Sequence, residues 1–101
     1  MMEDKPKQVI VIRKDLHMRR GKEIAQGSHA SMGAILKLMD LYYDSDNKVA
    51  KMLVYPKDSP ISDWLDNKFT KICVCVNSEE EMIELAKQSD DNDILNCLIT
   101  D

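Results

Sequence analysis

The chain has 101 residues and a mass of 11.6 kDa, enough for one domain with one core and too little for two independently folded units. Its 44% hydrophobic, 32% charged and 5% aromatic residues exclude long intrinsic disorder and predict a core of aliphatic and methionine side chains. The formal charge of −4 excludes a wholly basic surface, but residues 1–22 hold seven basic and three acidic residues. A polyanionic partner is therefore expected only at this N-terminal part.

The three cysteines, Cys73, Cys75 and Cys97, form no Cys-x-x-Cys pair. This spacing fits neither a disulfide framework nor a four-ligand zinc site and is typical of a reducing compartment. The N-terminus is charged, and the longest uncharged run, Ile24 to Leu36, is shorter than the roughly 18 residues of a membrane span. We expect a cytoplasmic protein that contacts no membrane.

The first element is a strand over Gln8 to Ile12, a β-branched apolar run typical of a strand buried on both faces in a parallel sheet. The basic stretch from Lys14 to Gly21 is predicted to be a loop. A helical period then continues to about Tyr42. The predicted buried stripe of this helix consists of Ala25, Ser28, Met32, Ile35, Leu36 and Met39.

The stretch from Asp44 to Pro60 is poorly patterned and is predicted to be a loop or insertion. Ser59 and Pro60 then supply the N-cap and first position of a short helix that carries Trp64. Thr70 to Val76 reads as a second strand.

The sequence from Ser78 to Glu81 is a capping box, in which a serine at the N-cap is followed three residues later by a glutamate. A third strand is predicted over Ile94 to Ile99. The order of elements indicates a three-layer α/β/α domain with a small parallel or mixed sheet and right-handed crossovers.

In open parallel sheets, ligands bind beyond the carboxyl ends of the strands. Here that edge carries the loop from Lys14 to Gly21, the helix start at Lys22, the turn at Asn77 and the terminal Asp101. Most of the N-terminal positive charge lies there too. The topology therefore predicts the functional site at this edge.

One flank of the long helix carries Lys22, Gln26, His29 and Gly33 within a sector of about 60°. The flank borders the core stripe, and Gly33 leaves room for another group to approach the helix backbone. Two interpretations are open, a functional surface and an ordinary solvated flank. His29 has no second histidine at ligand spacing, so we predict no metal site.

A basic cluster, defined here as Arg13, Lys14, Arg19 and Arg20, surrounds the predicted loop. Such a cluster is either a solvated loop or a phosphate-binding surface, and its place at the ligand edge favours phosphate. No aromatic residue lies within it, which indicates contacts to a nucleic-acid backbone instead of base stacking.

Residues 7–30 also contain a longer pattern, an apolar strand followed by Arg-x-Asp-Leu-x-Met-x-x-Gly-Lys-x-x-Ala-Gln-x-x-His-Ala. This string closely resembles the opening of type-2 peptidyl-tRNA hydrolases, and every fixed position is filled. Later features resemble the family as well: Trp64 ahead of the second strand, the helix start at Ser78, and the ending Leu98-Ile99-Thr100-Asp101.

The resemblance implies a four-stranded mixed sheet between helices and one domain over residues 1–101. It implies hydrolysis of the ester that joins a peptide to the 3′ ribose of tRNA, without cofactor or metal, by an enzyme that is often a homodimer. Carried over by position, the active-site lysine is Lys22 and the aspartate is Asp101, with Gln26 and His29 lining the cleft. The basic cluster becomes the expected tRNA-binding surface.

Ester hydrolysis needs a positioned water, a proton acceptor and positive charge where the oxyanion develops. We expect Asp101 to orient or deprotonate the water and Lys22 to stabilise the oxyanion. The reverse assignment, with neutral Lys22 as the base, stays open.

The family's pattern continues past the aspartate with a threonine-containing segment and a last antiparallel strand, which this sequence lacks. We expect a fragment or shortened gene product. A gap filled by another chain and a degenerate relative are the other interpretations. The alternative function is a tRNA- or protein-binding relative with impaired catalysis.

Overall fold

The computed structural model describes residues 5–100 and has an α/β fold, as predicted. Its elements are β1 (Gln8–Arg13), a 3₁₀ turn (Lys14–Leu16), α1 (Arg20–Leu36), β2 (Met39–Asp44), β3 (Val49–Leu53), α2 (Pro60–Asp66), β4 (Lys71–Val76) and α3 (Glu79–Asp91). The strands form two sheets, one parallel and one antiparallel.

The parallel sheet joins β1 to β4 in a regular register that runs from Gln8 opposite Lys71 to Arg13 opposite Val76. Both strands lie where the sequence predicts them, because their β-branched residues suit a pleated, half-buried surface. Their parallel pairing is also confirmed. As a result, the turns that follow Arg13 and Val76 leave the sheet at the same edge.

The predicted end of the first helix is wrong. α1 ends at Leu36, and the chain then forms the hairpin β2–β3 where the sequence analysis extended the helix to Tyr42 and placed a loop from Asp44 to Pro60. The Ser45 N–H donates to the Lys48 carbonyl at 2.8 Å and closes the hairpin turn. The helical period reaches Met39, but adjacent tyrosines favour a strand and the polar residues after Asp44 favour a turn.

α2 begins as predicted, with Ser59 at the N-cap and Pro60 at the first helical position. The Ser59 Oγ accepts the Ser62 N–H at 3.2 Å. The helix delivers Trp64 to the start of β4, where its Nε1 donates to the Thr70 carbonyl at 2.6 Å. That carbonyl also accepts the Gln8 N–H at 2.9 Å, so Trp64 is tied to the first rung of the parallel sheet.

α3 also begins as predicted. The Ser78 Oγ accepts the Glu81 N–H at 3.1 Å, and the Glu81 carboxylate accepts the Asn77 N–H at 2.9 Å. These bonds satisfy backbone donors that a helix start otherwise leaves to solvent.

α1 lies across β1. Gln8 and Ser31 form a clamp between the two elements, because Ser31 Oγ donates to Gln8 Oε1 at 2.6 Å and Gln8 Nε2 donates to the Ser31 carbonyl at 3.3 Å. Gly27 is buried at this contact, and a β-carbon there would lie 3.3 Å from Ile10 Cγ2. The helix and strand therefore approach more closely than a larger residue at position 27 would allow.

The predicted third strand over Ile94–Ile99 is wrong, because no residue between 94 and 100 belongs to a strand. A strand requires a partner edge, and this segment packs on α1 instead. Lys37 Nζ donates to the Asn96 carbonyl at 2.6 Å, and Cys97 lies against Gly33.

Little of the described chain is fully buried. Trp64 and Val76, at the two ends of β4, are the buried hydrophobic residues among those described. The structure exposes 8271 Å², whereas a folded monomer of this mass exposes about 5,800 Å² by the usual surface-to-mass scaling. Much apolar surface is therefore open to another molecule.

Candidate active site

The candidate site lies at the edge where β1 and β4 end. Because Arg13 pairs with Val76 in the register, the 3₁₀ turn after β1 and the capped start of α3 after β4 are neighbours. This confirms that the two strands present their carboxyl ends at one edge.

Arg13, a member of the basic cluster, forms an ion pair with Asp15 in the turn that follows it. Its Nε donates to Asp15 Oδ1 at 3.1 Å and its Nη2 to Asp15 Oδ2 at 2.6 Å, and its Nη1 lies 4.0 Å from Glu79 Oε2. The hydrogen bond from Arg13 lowers the pKa of Asp15 below its ordinary value, and the same bond raises the pKa of Arg13. Arg13 therefore shapes the loop, a role that the sequence analysis missed although Arg13 and Asp15 are two residues apart.

The 3₁₀ turn sends the chain from β1 back toward α1. His17 follows the turn in the left-handed region at φ 50°, and its N–H donates to the Lys14 carbonyl at 3.2 Å. The next residues lead directly into the helix. A six-residue connection thus sets the position of the α1 start relative to the end of β1.

The start of α1 has no side-chain cap. Arg19 occupies the N-cap with extended backbone, and its side chain makes no capping hydrogen bond. Arg20 and Lys22 lie in the first turn, where the helix dipole already places partial positive charge. Arg19, Arg20 and Lys22 are all exposed, and only Glu23 offsets their charge in that turn. A helix start without a side-chain cap, together with exposed cations in its first turn, is suited to an anion such as phosphate or a developing oxyanion.

The flank predicted from helical spacing is present on α1. Lys22 and His29 are exposed, whereas Gln26 is half-buried and its side-chain oxygen lies below the surface. Gly33 does admit a close approach, since a β-carbon there would lie 2.6 Å from Cys97 Sγ and 3.9 Å from Ile99 Cδ1.

The C-terminal segment therefore follows this same flank of α1. It passes Lys37 at the end of the helix and then Gly33, so it runs toward the helix start. Asp101, the predicted catalytic carboxylate, lies outside the described residues. The packing of Cys97 on α1 was missed by the sequence analysis, which assigned the segment to the sheet. The glycine at position 33 was the available signal.

Within residues 5–100 there is no group of three His, Cys, Asp or Glu side chains that could hold a metal ion. Over the same residues, no helix combines the length and apolar character that crossing a membrane requires.

Comparison with known proteins extends over nearly the whole chain. Residues 6–101 match the family model of Peptidyl-tRNA hydrolase PTH2. The chain is 32% identical over 95 residues to a peptidyl-tRNA hydrolase of Thermoplasma acidophilum, an alignment that covers 94% of this chain and 68% of that protein. It is 34% identical over 79 residues to a peptidyl-tRNA hydrolase of Methanopyrus kandleri, with 78% of this chain and 54% of that protein covered.

A eukaryotic relative matches equally well. The chain is 34% identical over 95 residues to the probable peptidyl-tRNA hydrolase 2 of Dictyostelium discoideum. This alignment covers 94% of this chain and 38% of that protein. The chain thus spans between 38% and 68% of the length of these three relatives.

Proposed function

The chain belongs to the peptidyl-tRNA hydrolase PTH2 family, and on that premise we propose that it hydrolyses the ester between a peptide and the 3′ ribose of tRNA. The observation that carries this proposal is the α1 start, where an uncapped helix end and three exposed cations meet on the ligand edge of the sheet. An ester attached to a polyanion needs both features, one for the oxyanion and one for the phosphates.

In the proposed mechanism, water attacks the ester carbonyl carbon and the ribose oxygen leaves with a proton. Lys22 and the backbone amides at the start of α1 stabilise the negative charge that develops on the carbonyl oxygen. Asp101 orients the water and accepts its proton. The opposite assignment, with neutral Lys22 as the base, uses the same two groups. Gln26 and His29 line the cleft between them.

The role proposed for Asp101 rests on the ending Leu98-Ile99-Thr100-Asp101, which resembles the family's pattern and lies within the residues that match the family model.

We propose that tRNA phosphates bind the exposed Arg19, Arg20 and Lys14. Arg13 takes part through the loop that it holds, and through the guanidinium N–H groups that Asp15 does not occupy. The α3 start presents three glutamates, Glu79, Glu80 and Glu81, beside this surface. They repel a polyanion and direct it toward α1.

We further propose a single cytoplasmic domain over residues 1–101 that forms a homodimer. The excess of exposed surface over the expected monomer value is about 2,400 Å², which is of the size that each subunit of an obligate dimer buries. The proposed substrate is produced by translation, which supports a cytoplasmic location.

The test is hydrolysis of an N-acetylated aminoacyl-tRNA by the 101-residue chain, by Lys22→Ala and by Lys87→Ala, which removes an exposed lysine from α3. We expect turnover by the wild type and by Lys87→Ala, and a loss of about a hundredfold or more in Lys22→Ala, as is typical when an oxyanion donor is removed. Unchanged turnover in Lys22→Ala would refute both assignments of Lys22. A folded wild type that binds tRNA without turnover would favour the alternative, a binding relative with impaired catalysis.

A further inference from the structure

An apolar groove runs between α1 and β4 on the face of the parallel sheet that α1 covers only in part. α1 is centred over β1, so the neighbouring face of β4 is left open. The groove has a volume of about 840 Å³. Side chains that line it are Ile12, Ile24, Ser28, Met32, Cys73 and Cys75.

The groove is exposed and apolar over its length. Ile24 is 62% exposed and Met32 54% exposed, values that leave most of each side chain in water. Cys73 and Cys75 are free thiols on the same face of β4, in register with Ile10 and Ile12 of β1. A contiguous apolar surface of this kind is costly in water and is typical of a binding site.

Charge is confined to the two ends of the groove. Lys14, Arg20 and Glu23 lie at the end formed by the α1 start, and Lys71 lies at the other end, where β4 begins. The basic end is continuous with the surface proposed above for the tRNA phosphates. The uncharged middle is suited to a neutral chain and offers nothing to a phosphate backbone.

We propose that this groove binds the peptide part of the substrate, with apolar side chains preferred. The proposal rests on the proposed function, because it places the ester at the α1 start between a basic surface for the tRNA and an apolar groove for the peptide. From Arg20 to Met32 the helix rises about 18 Å, which accommodates roughly five residues of extended peptide.

The first test compares tRNAs that carry a single N-acetylated residue with tRNAs that carry an apolar pentapeptide or a pentapeptide of Gly and Asp. We expect the apolar pentapeptide to raise kcat/KM over the single residue about tenfold, and the Gly/Asp pentapeptide to give no such gain. Met32→Glu, at the end of the groove remote from Lys22, is expected to abolish most of that gain, because one buried methionine contributes an amount of free energy equivalent to about tenfold. Val49→Glu is the matched control, since Val49 is 57% exposed and lies on the hairpin away from the groove.

The second test measures binding of a fluorescein-labelled apolar pentapeptide amide by anisotropy, and it separates the two proposals. Binding that Met32→Glu weakens, in a chain that hydrolyses no peptidyl-tRNA, would support the groove and refute the proposed function. Turnover with no preference for the apolar pentapeptide, and no effect of Met32→Glu, would refute the groove and leave the function standing. A dimer that Met32→Glu dissociates in analytical ultracentrifugation would assign the groove to a second copy and overturn the proposal.

Discussion

The two helices that follow the carboxyl ends of β1 and β4 begin in opposite ways. α3 starts with Ser78 bonded to the Glu81 N–H and with glutamates at its first three positions, which is the arrangement that stabilises a helix start. α1 starts with Arg19, which makes no side-chain cap, and with Arg20 and Lys22 in the turn where positive charge is unfavourable. Yet the strands that precede the two helices are direct neighbours.

The comparison indicates that the start of α1 is less stable than the start of α3. A capped, acidic start contributes about 1 kcal/mol from the cap and a few tenths more from charge. The start of α1 lacks the cap, and the unfavourable charges of Arg20 and Lys22 outnumber the one favourable charge of Glu23. Unfavourable local choices in a folded protein are expected at functional sites, so the contrast itself supports the proposal that the α1 start binds anions while the α3 start only stabilises the fold.

The largest expected effect is on tRNA binding. Arg19→Ala with Arg20→Ala should weaken affinity for tRNA about tenfold to a hundredfold at 50 mM salt, because two phosphate contacts are lost. The slope of log affinity against log salt should also become flatter by about 1.5 to 2. Filter binding at four salt concentrations measures both quantities.

The matched control for the arginine pair is Lys48→Ala with Lys51→Ala. This double variant removes the same charge from the hairpin, which follows the opposite end of α1. We expect less than about a threefold change, since exposed charges beyond roughly 10 Å are screened. Equal losses in the two double variants would mean that tRNA responds to net charge alone, and the contrast between the helix starts would lose its functional meaning.

The second expected effect is on stability. It concerns the later turns of α1, on which the C-terminal segment packs at Gly33 and Lys37. Gly33→Ala should lower the free energy of unfolding by about 1 to 2 kcal/mol, because overpacking against Cys97 outweighs the gain in helix propensity. Urea unfolding followed by the fluorescence of Trp64, the single tryptophan, measures it.

Two variants check that the cause is the contact at Gly33. Gly21→Ala, with no neighbouring atom within 4 Å of the new β-carbon, should be neutral or stabilising by up to about 1 kcal/mol. Cys97→Ala should rescue much of the loss in Gly33→Ala, since the two residues are in contact and their effects are then not additive. Absence of rescue would show that the segment does not pack on α1 as described.

Much of the fold could be predicted because local chemistry decided it. The apolar runs of β1 and β4, the serine caps of α2 and α3, and the glycine-bearing flank of α1 each act within a few residues. The segment from 94 to 100 could not be predicted in this way. Its β-branched composition indicates a strand, but strand formation depends on a partner edge elsewhere in the chain, and the contact with Gly33 prevailed.

The candidate site likewise has features that local sequence predicts and features that depend on how distant elements pack. The spacing of Lys22, Gln26 and His29 follows from helical geometry and needed no structure. The bond between Arg13 and Asp15 depends on the turn that brings two near neighbours face to face, and the groove along β4 depends on α1 lying over β1 instead of between the strands. Sequence spacing alone predicts neither this bond nor this groove.

A third, smaller effect tests the stabilising helix start. Ser78→Ala should lower the free energy of unfolding by about 1 kcal/mol, because the Glu81 N–H loses its acceptor, and it should leave tRNA binding unchanged. Ser78→Asp, which keeps an oxygen acceptor at the N-cap, should restore stability. A loss of tRNA affinity in Ser78→Ala would contradict the division of roles between the two helix starts.

The smallest expected effect concerns the ion pair that links the two regions, Arg13 with Asp15 beside Glu79. The pKa of Asp15 is lowered in the folded protein. The contribution of this carboxylate to stability is therefore present above its pKa in the unfolded chain, near 3.8, and is lost as pH falls through the lower pKa of the folded protein.

Asp15→Asn should therefore be slightly less stable than the wild type at pH 7 and at pH 5. The difference should shrink as the pH falls below about 3.8. Urea unfolding at these pH values measures the difference, with Asp46→Asn in the hairpin turn as the control. A gap between wild type and Asp15→Asn that stays constant to pH 3 would show that the Asp15 carboxylate does not make this bond in solution. Because the pair is exposed, raising salt should shrink the gap at pH 7 as well.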